Sequence, residues 1–337
     1  METMFALQDS AVVSTVGVQM MQHIVEQDVN QAHPAGPTGS TTKCGPANNY
    51  AVCARGLCCS ISGNCGTGED FCSDPFNCQF GYGDCDSSKT PAGTSTINDP
   101  RPLLGSVSYT QDIYDCTAPN VIALTYDDGP LDYTGHLLDV LKQYGFHATF
   151  FVSGNNIAKG EIDTTAPWPT YIKRMIAEGH QVASHTWSHY DLGGLSSADR
   201  IQQMVKNERA LANIIGKYPT YMRPPFSSCS GDCQTDMQNL GYHRVYFDLD
   251  SQDYLNDATM LIQNSKDIVR WALGNETNGE NQLVLQHDIH YQTAYNLSSF
   301  YFDLIKAKGW KGVSVGECLL DPKSNWYRVP GSGQGTA

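Results

Sequence analysis

Residues 121–130 read VIALTYDDGP, and the architecture can be worked out from them in both directions. VIALTY is rich in β-prone residues, and two carboxylates and a Gly-Pro turn then end it, as when a buried strand runs into a polar loop. GHLLDVLKQYG (135–145) follows with helical spacing, and HATFFV (147–152) is a second strand. WPTYIKRMIAEG reads as a helix, QVASH (181–185) as a third strand, and SSADRIQQMVKNERALANIIG as a long helix. In that helix Ile201, Met204, Val205, Glu208, Leu211 and Ile215 fall near helical spacing. A short extended YMRPPF, a helix around CQTDMQNLG, the strand HRVYFDLD, a helix at DATMLIQNSKDIVRWAL, the strand QLVLQHD, a helix at SSFYFDLIKAKG and the strand GVSV complete the series. About seven strand–helix repeats predict an α/β domain with a parallel, barrel-like sheet, whose active site lies at the C-terminal ends of the strands.

Chemistry-bearing residues recur at those ends. Asp127 and Asp128 follow the first strand, His185 and His189 the third, Arg223 the fourth segment, Asp250 and Asp253 the fifth, and His287 the sixth. Singly, each has a plain structural reading: Asp-Gly-Pro is usually a turn, and a pair of histidines four residues apart is usually incidental. Their recurrence at one end of the sheet points instead to a single site. One carboxylate with two imidazoles suits a divalent metal such as zinc, with positions left open for water and substrate. Adjacent side chains of a strand alternate, so of Asp127 and Asp128 one can hold the metal while the other faces water as a base. Thr186 after His185 excludes the H-E-x-x-H arrangement, and G-x-S-x-G is absent.

Composition narrows the class. A chain of 337 residues suggests about two domains. With 40% hydrophobic and 17% charged residues it is globular rather than disordered or coiled-coil. The net charge of −14 disfavours nucleic acid and anionic membranes as partners. No apolar run approaches the ~18–20 residues that span a bilayer.

Of 12 cysteines, eight fall between Cys44 and Cys85; the others are Cys116, Cys229, Cys233 and Cys318. An even, clustered set reads as a disulfide framework made in an oxidising compartment, hence a secreted, extracellular or cell-wall protein. The competing zinc-cluster reading lacks any histidine in the segment and any paired C-x-x-C spacing. Cys229 and Cys233 can close a small loop after RPPF, and Cys116 and Cys318 can tie the ends of the large domain. Sequons at Asn275 and Asn296 fit a secretory route. The N-terminus lacks a basic stretch followed by an apolar one, so the numbering is expected to begin at or near a mature start. The expected organisation is a leader or linker at 1–43 with a possible amphipathic helix, a cysteine module at 44–85, a linker at 86–105, the α/β domain at 106–325 and a tail at 326–337.

TYDDGP (125–130), HTWSH (185–189), RPPF (223–226), DSQDY (250–254) and LVLQH (283–287) together resemble the five ordered motifs of the family 4 carbohydrate esterases, the polysaccharide deacetylases, with fungal chitin deacetylases most similar. The resemblance covers about residues 105–325 and implies a distorted (β/α) barrel with one divalent ion, zinc first and cobalt or another as alternatives. It implies Asp128, His185 and His189 as metal ligands and Asp127 as general base. Arg223 would orient Asp127, His287 would be the general acid with Asp253 its carboxylate partner, and the backbone N–H near Phe226 would stabilise the oxyanion. An amide needs both an activated water and an acid for its poor leaving group, and these roles supply both. Phe226 stands where many members carry Tyr, and Tyr254 where Trp is usual. Tyr254 is read either as core packing or as part of the sugar site. His290 is a spare candidate, and His136, His147, His180 and His243 lie outside the motifs and are read as structural.

The module at 44–85 resembles hevein-type chitin-binding domains. That resemblance implies the bridges Cys44–Cys59, Cys53–Cys65, Cys58–Cys72 and Cys78–Cys85. It also places Ser62 and Asn64 where sugar-stacking aromatics belong, leaving Ser60 and Phe71 as sugar contacts. The expected function is metal-dependent removal of N-acetyl groups from chitin or chitooligosaccharides by a monomeric enzyme. The alternatives are an acetyl esterase acting on xylan or peptidoglycan and a non-catalytic chitin-shielding lectin.

Overall fold

The computed structural model describes residues 38–275, 277 and 280–336; the amphipathic-helix candidate lies outside them. The main sheet contains β1 (Asp112–Ile113), β2 (Val121–Asp127), β3 (Thr149–Val152), β4 (Gln181–Ser184), β5 (Tyr221–Met222), β6 (His243–Val245), β7 (Leu249–Asp250), β8 (Asn281–His287) and β9 (Lys311–Val313). Every residue of β2 is buried, as expected of a parallel strand covered on both faces.

All pairings are parallel, in the order β7-β8-β2-β3-β4-β5-β6-β1, with β9 also on β2. β6 and β7 lie towards opposite ends of this path, yet only residues 246–248 separate them, a stretch that spans at most about 14 Å. The sheet therefore curls until its ends nearly meet, giving an incomplete barrel. HRVYFDLD divides into two strands for the same reason. Tyr246 N–H donates to Ile113 on one side of the gap, and Asp248 N–H to Leu283 on the other.

The helices α1 (Thr134–Tyr144), α2 (Trp168–Ala177), α3 (Ser197–Ile215), α4 (Asp232–Asn239), α5 (Ile262–Asn275) and α6 (Ser298–Ala307) connect the strands. The Ser196 hydroxyl caps α3 by accepting Asp199 N–H, and Gly216, in the left-handed region, ends it. Leu137, Leu138, Ile172, Leu211, Val269, Tyr301 and Phe302 from these helices join β2, β3 and β8 in one apolar core.

The module has little aliphatic core and closes on disulfides Cys44–Cys59, Cys53–Cys65, Cys58–Cys72 and Cys78–Cys85. Cys116–Cys318 and Cys229–Cys233 form in the barrel, and with no cysteine left free the zinc-cluster alternative falls away.

Two segments depart from their composition. Residues 86–105, expected to be a linker, begin with a strap fixed along α3. Lys206 donates to Ser87, Arg209 to Pro91 and Asn213 to Ala92, and Arg101 pairs with buried Glu208 at 2.7 Å. The expected tail at 326–337 begins inside the fold. Tyr327–Arg328 pairs with Tyr218–Pro219, and the buried Arg328 donates to the Tyr109 hydroxyl and the Gly333 carbonyl.

Candidate active site

Strand register assembles the site. Asp127 lies directly opposite His287 across β2 and β8, and Ser184, the residue before His185, lies opposite Met222, the residue before Arg223. The motif side chains thus emerge at one level on the C-terminal rim.

Asp127 is buried, and its Oδ1 accepts from Arg223 Nη1 at 2.9 Å. Arg223 is itself buried. It donates to Thr125 Oγ1 and to the carbonyls of Val245 and Tyr246, and its guanidinium lies 4.3 Å from the centre of the Phe151 ring. Burial pulls its pKa down against the pull of Asp127.

Asp128, in the left-handed region at φ 76°, presents its carboxylate to the two imidazoles, and Asp127 Oδ2 lies 3.9 Å from His185 Nε2. Its Oδ1 lies 3.4 Å from His185 Nε2 and 3.0 Å from His189 Nε2. Despite these approaches the buried oxygen has no partner in hydrogen-bond geometry. His185 Nδ1 donates to the Arg223 carbonyl at 2.7 Å, so in the neutral ring Nε2 carries the lone pair. One donor atom from each of Asp128, His185 and His189 lies within 4.8 Å of the others, and this N/N/O set fits a divalent cation. Burial would raise the Asp128 carboxyl, but the neighbouring imidazoles outweigh it and hold it well below the usual range.

Across the mouth, Asp253 Oδ1 accepts His287 Nδ1–H at 2.8 Å, and Oδ2 accepts the His287 backbone N–H and the Thr293 hydroxyl. Burial alone would push the His287 ring down; the Asp253 charge and hydrogen bond, with Asp128 and Asp127 behind them, push it up to about 10. Tyr254 is half exposed, stands edge-on to His287 at 5.4 Å and donates to Asp250, so it lines the site and is not core packing. Phe226 is also in the left-handed region at φ 56°, with its ring 4.8 Å from His189. The hydrogen bonds of its turn run from Ser227 to Pro224 and from Ser228 to Pro225, passing over the Phe226 N–H. His290 pairs with Asp257 and stands 5.7 Å from His287.

Residues 114–245 match the family model described as polysaccharide deacetylase, and residues 43–85 the one described as chitin recognition protein. A chitin deacetylase of Colletotrichum lindemuthianum is 46% identical over 217 residues, 64% of this chain and 86% of that protein. The chain belongs to the polysaccharide deacetylase family. A Pestalotiopsis chitin deacetylase is 41% identical over 243 residues, 71% of this chain and 77% of that protein. The solved structure of the Colletotrichum lindemuthianum enzyme matches this polysaccharide deacetylase with a TM-score of 0.64 at 44% identity, covering 66% of this chain and 97% of that one. As a polysaccharide deacetylase the protein is a hydrolase. The family is metal-dependent, and Asp128, His185 and His189 are a possible metal site in this member.

Sequence reasoning missed the groups that hold the Asp127–Gly129 turn. Lys159 is buried and donates to the carbonyls of Asp128 and Gly129 at 2.8 and 2.9 Å. Asp288 accepts Gly129 N–H at 3.1 Å and the Thr134 hydroxyl. Burial pushes the Lys159 ammonium down and the Asp288 carboxyl up, each resisted by the other's charge. A Cβ at position 129 would lie 2.1 Å from the Asp288 carboxylate, so the turn requires glycine. Asp288 was detectable as the carboxylate beside His287, whereas nothing in the sequence marks Lys159.

In the module, Ser60 does not present the surface expected of a sugar contact. It is buried, and its hydroxyl is engaged with Ser62 Oγ at 2.9 Å and with Asn64 N–H. Phe71 is half buried against Gly66.

Proposed function

We propose that this chain hydrolyses the N-acetyl groups of chitin or chitooligosaccharides, releasing acetate and leaving glucosamine units. One observation carries the reading: a carboxylate fixed by a buried arginine and an imidazole fixed by a buried aspartate stand in register at the strand ends beside an Asp/His/His donor set. Asp128, His185 and His189 would hold the divalent ion, with Zn2+ best suited to these donors, and the bound ion would polarise the acetyl carbonyl and acidify water.

Asp127 takes the proton of the attacking water, with Arg223 as the positioning residue that holds the accepting oxygen in place. The Phe226 N–H donates to the oxygen that becomes negative as the carbonyl carbon turns tetrahedral. His287, protonated and held by Asp253, gives its proton to the leaving nitrogen as the C–N bond breaks. Six disulfides, which form in oxidising compartments, support secretion. We take the enzyme to act as a monomer.

Defined N-acetylglucosamine oligomers and acetylxylan, each incubated with zinc-loaded protein, test the reading by mass spectrometry of the products. Each N-acetyl group removed should lower an oligomer's mass and release acetate, and Asp127→Asn should slow this by about 10²–10⁴-fold with zinc content unchanged. Release from acetylxylan alone would overturn the amide-hydrolase assignment.

A further inference from the structure

At the expected sugar face of the module, Lys43 donates to Asn64, Asn64 to Ser62, and Ser62 shares a hydrogen bond with Ser60, so polar groups stand where a ring could stack. Tyr82 is buried among the disulfides. Among the described residues of the module, Ile61 and Phe76 are the exposed large apolar side chains, and Phe76, at 54%, is the exposed aromatic.

Phe76 does not face away from the barrel. Its ring meets Phe226 edge to face at 6.4 Å, and Phe226 meets His189 at 4.8 Å. The segment carrying Phe76 is anchored to the loops after β3 and β4. The buried Asp74 carboxylate accepts the Tyr190 hydroxyl and Ser87 N–H, and the Asp74 carbonyl accepts Ile157 N–H. Phe80 stands edge-on to Tyr190 at 5.3 Å, and Asn155 donates to the Asp86 carbonyl. A half-exposed aromatic wall therefore runs from the module to the ligand set without a break.

We propose that the module forms one side of the substrate groove, and that Phe76 and Phe226 make a stacking subsite for the N-acetylglucosamine unit beside the one being deacetylated. This rests on the deacetylase reading for its occupant. A pyranose ring offers a face of C–H groups that packs on aromatic carbon, and the wall's continuity with His189 sets that ring next to the reacting unit. The module then acts by positioning an oligomer at the active site, not by anchoring the enzyme to a distant surface.

The test titrates N-acetylglucosamine hexamer into the full chain by calorimetry, in an Asp127→Asn background that keeps the oligomer acetylated. Phe76→Ala should weaken binding about tenfold, equivalent to ~1.4 kcal/mol, and Phe76→Trp should restore it. In the active protein the same loss should appear chiefly in KM. Phe76 is half exposed, so an unchanged melting temperature verifies that the variant is folded. Equal affinity with and without the Phe76 ring, or no binding of hexamer by the parent protein, would overturn the subsite. Hexamer binding that depends on Phe76 in a protein that releases no acetate would uphold the subsite and remove the deacetylase reading.

Discussion

Asp253 is buried with both carboxylate oxygens directed at the loop that carries His287, and its charge keeps that imidazole protonated in neutral solution. An acid works only while it holds its proton, so activity should be lost as pH rises through the His287 pKa. A cation at Asp128 offsets the part of the upward push that comes from Asp127 and Asp128, so in the loaded enzyme this alkaline limb lies below 10. Asp253→Asn removes the largest raising influence and should move the alkaline limb of kcat/KM to lower pH by about one unit or more, worth ~1.4 kcal/mol per unit. Profiles of the two proteins check this, and coincident alkaline limbs would show that His287 is not the proton donor. Side chains that act through their own chemistry at a strand end were readable from type and position, and Asp127, Asp128, His185, His189, Arg223, Asp253 and His287 do come together. Lys159 was not readable, because it acts through ammonium contacts to two carbonyls and its loop has no pattern that encodes them.

The strand-end loops hold much of the backbone strain. Asp128, Thr186, His189, Phe226, Ser227 and Gln252 all have positive φ, each costing on the order of 1–2 kcal/mol. Such strain persists where the surroundings over-determine it, and here the buried strands and the module supply that constraint. Strands and helices were legible because period and length declare them, and the strap at 86–101 was not, because Ser, Thr, Pro and Gly composition is shared by linkers and ordered loops. One signal was present: Glu208 sits on the apolar stripe of α3, and a carboxylate there needs a partner. The structure supplies Arg101 in a two-pronged pair at 2.7 and 2.9 Å, the Tyr242 hydroxyl at 2.8 Å and Thr96. Arg101→Met leaves a buried charge without its counterion and should cost roughly 3–5 kcal/mol in urea unfolding. Glu208→Gln in the same protein should recover part of that loss. A cost below about 1 kcal/mol would show that the ion pair does not secure the strap.

Across the whole molecule, stability in acid depends on histidines kept neutral by burial. His180 and His243 are both pushed down to about 3, burial being the main cause. The hydrogen bonds agree: His180 Nδ1 accepts Ala148 N–H and cannot also carry a proton, and His243 donates from Nδ1 to Ser108, leaving Nε2 bare. Between pH 6.5 and 3 the unfolded chain binds protons at these two positions and the folded chain does not, so each should lose up to about 1.4 kcal/mol of stability per pH unit as the solution is acidified. Asp74 works in the opposite direction. Burial raises it to about 7, so between its unfolded pKa near 4 and pH 7 the folded state binds the extra proton and acidification favours folding there. Glu317, held down to about 2 against the effect of burial by His147 and the Ser314 N–H, adds an acid loss only below about pH 4.5. Because these contributions overlap, the informative quantity is a difference: the melting temperature of the parent protein minus that of His180→Asn/His243→Asn, followed from pH 7.5 to 5. The parent's advantage should shrink steadily below pH 6.5, since only the parent has these two imidazoles, which take up protons on unfolding, while the other histidines are common to both proteins. A gap that stays constant over that range would mean that both rings already carry protons in the fold, with a charge stabilised inside the core.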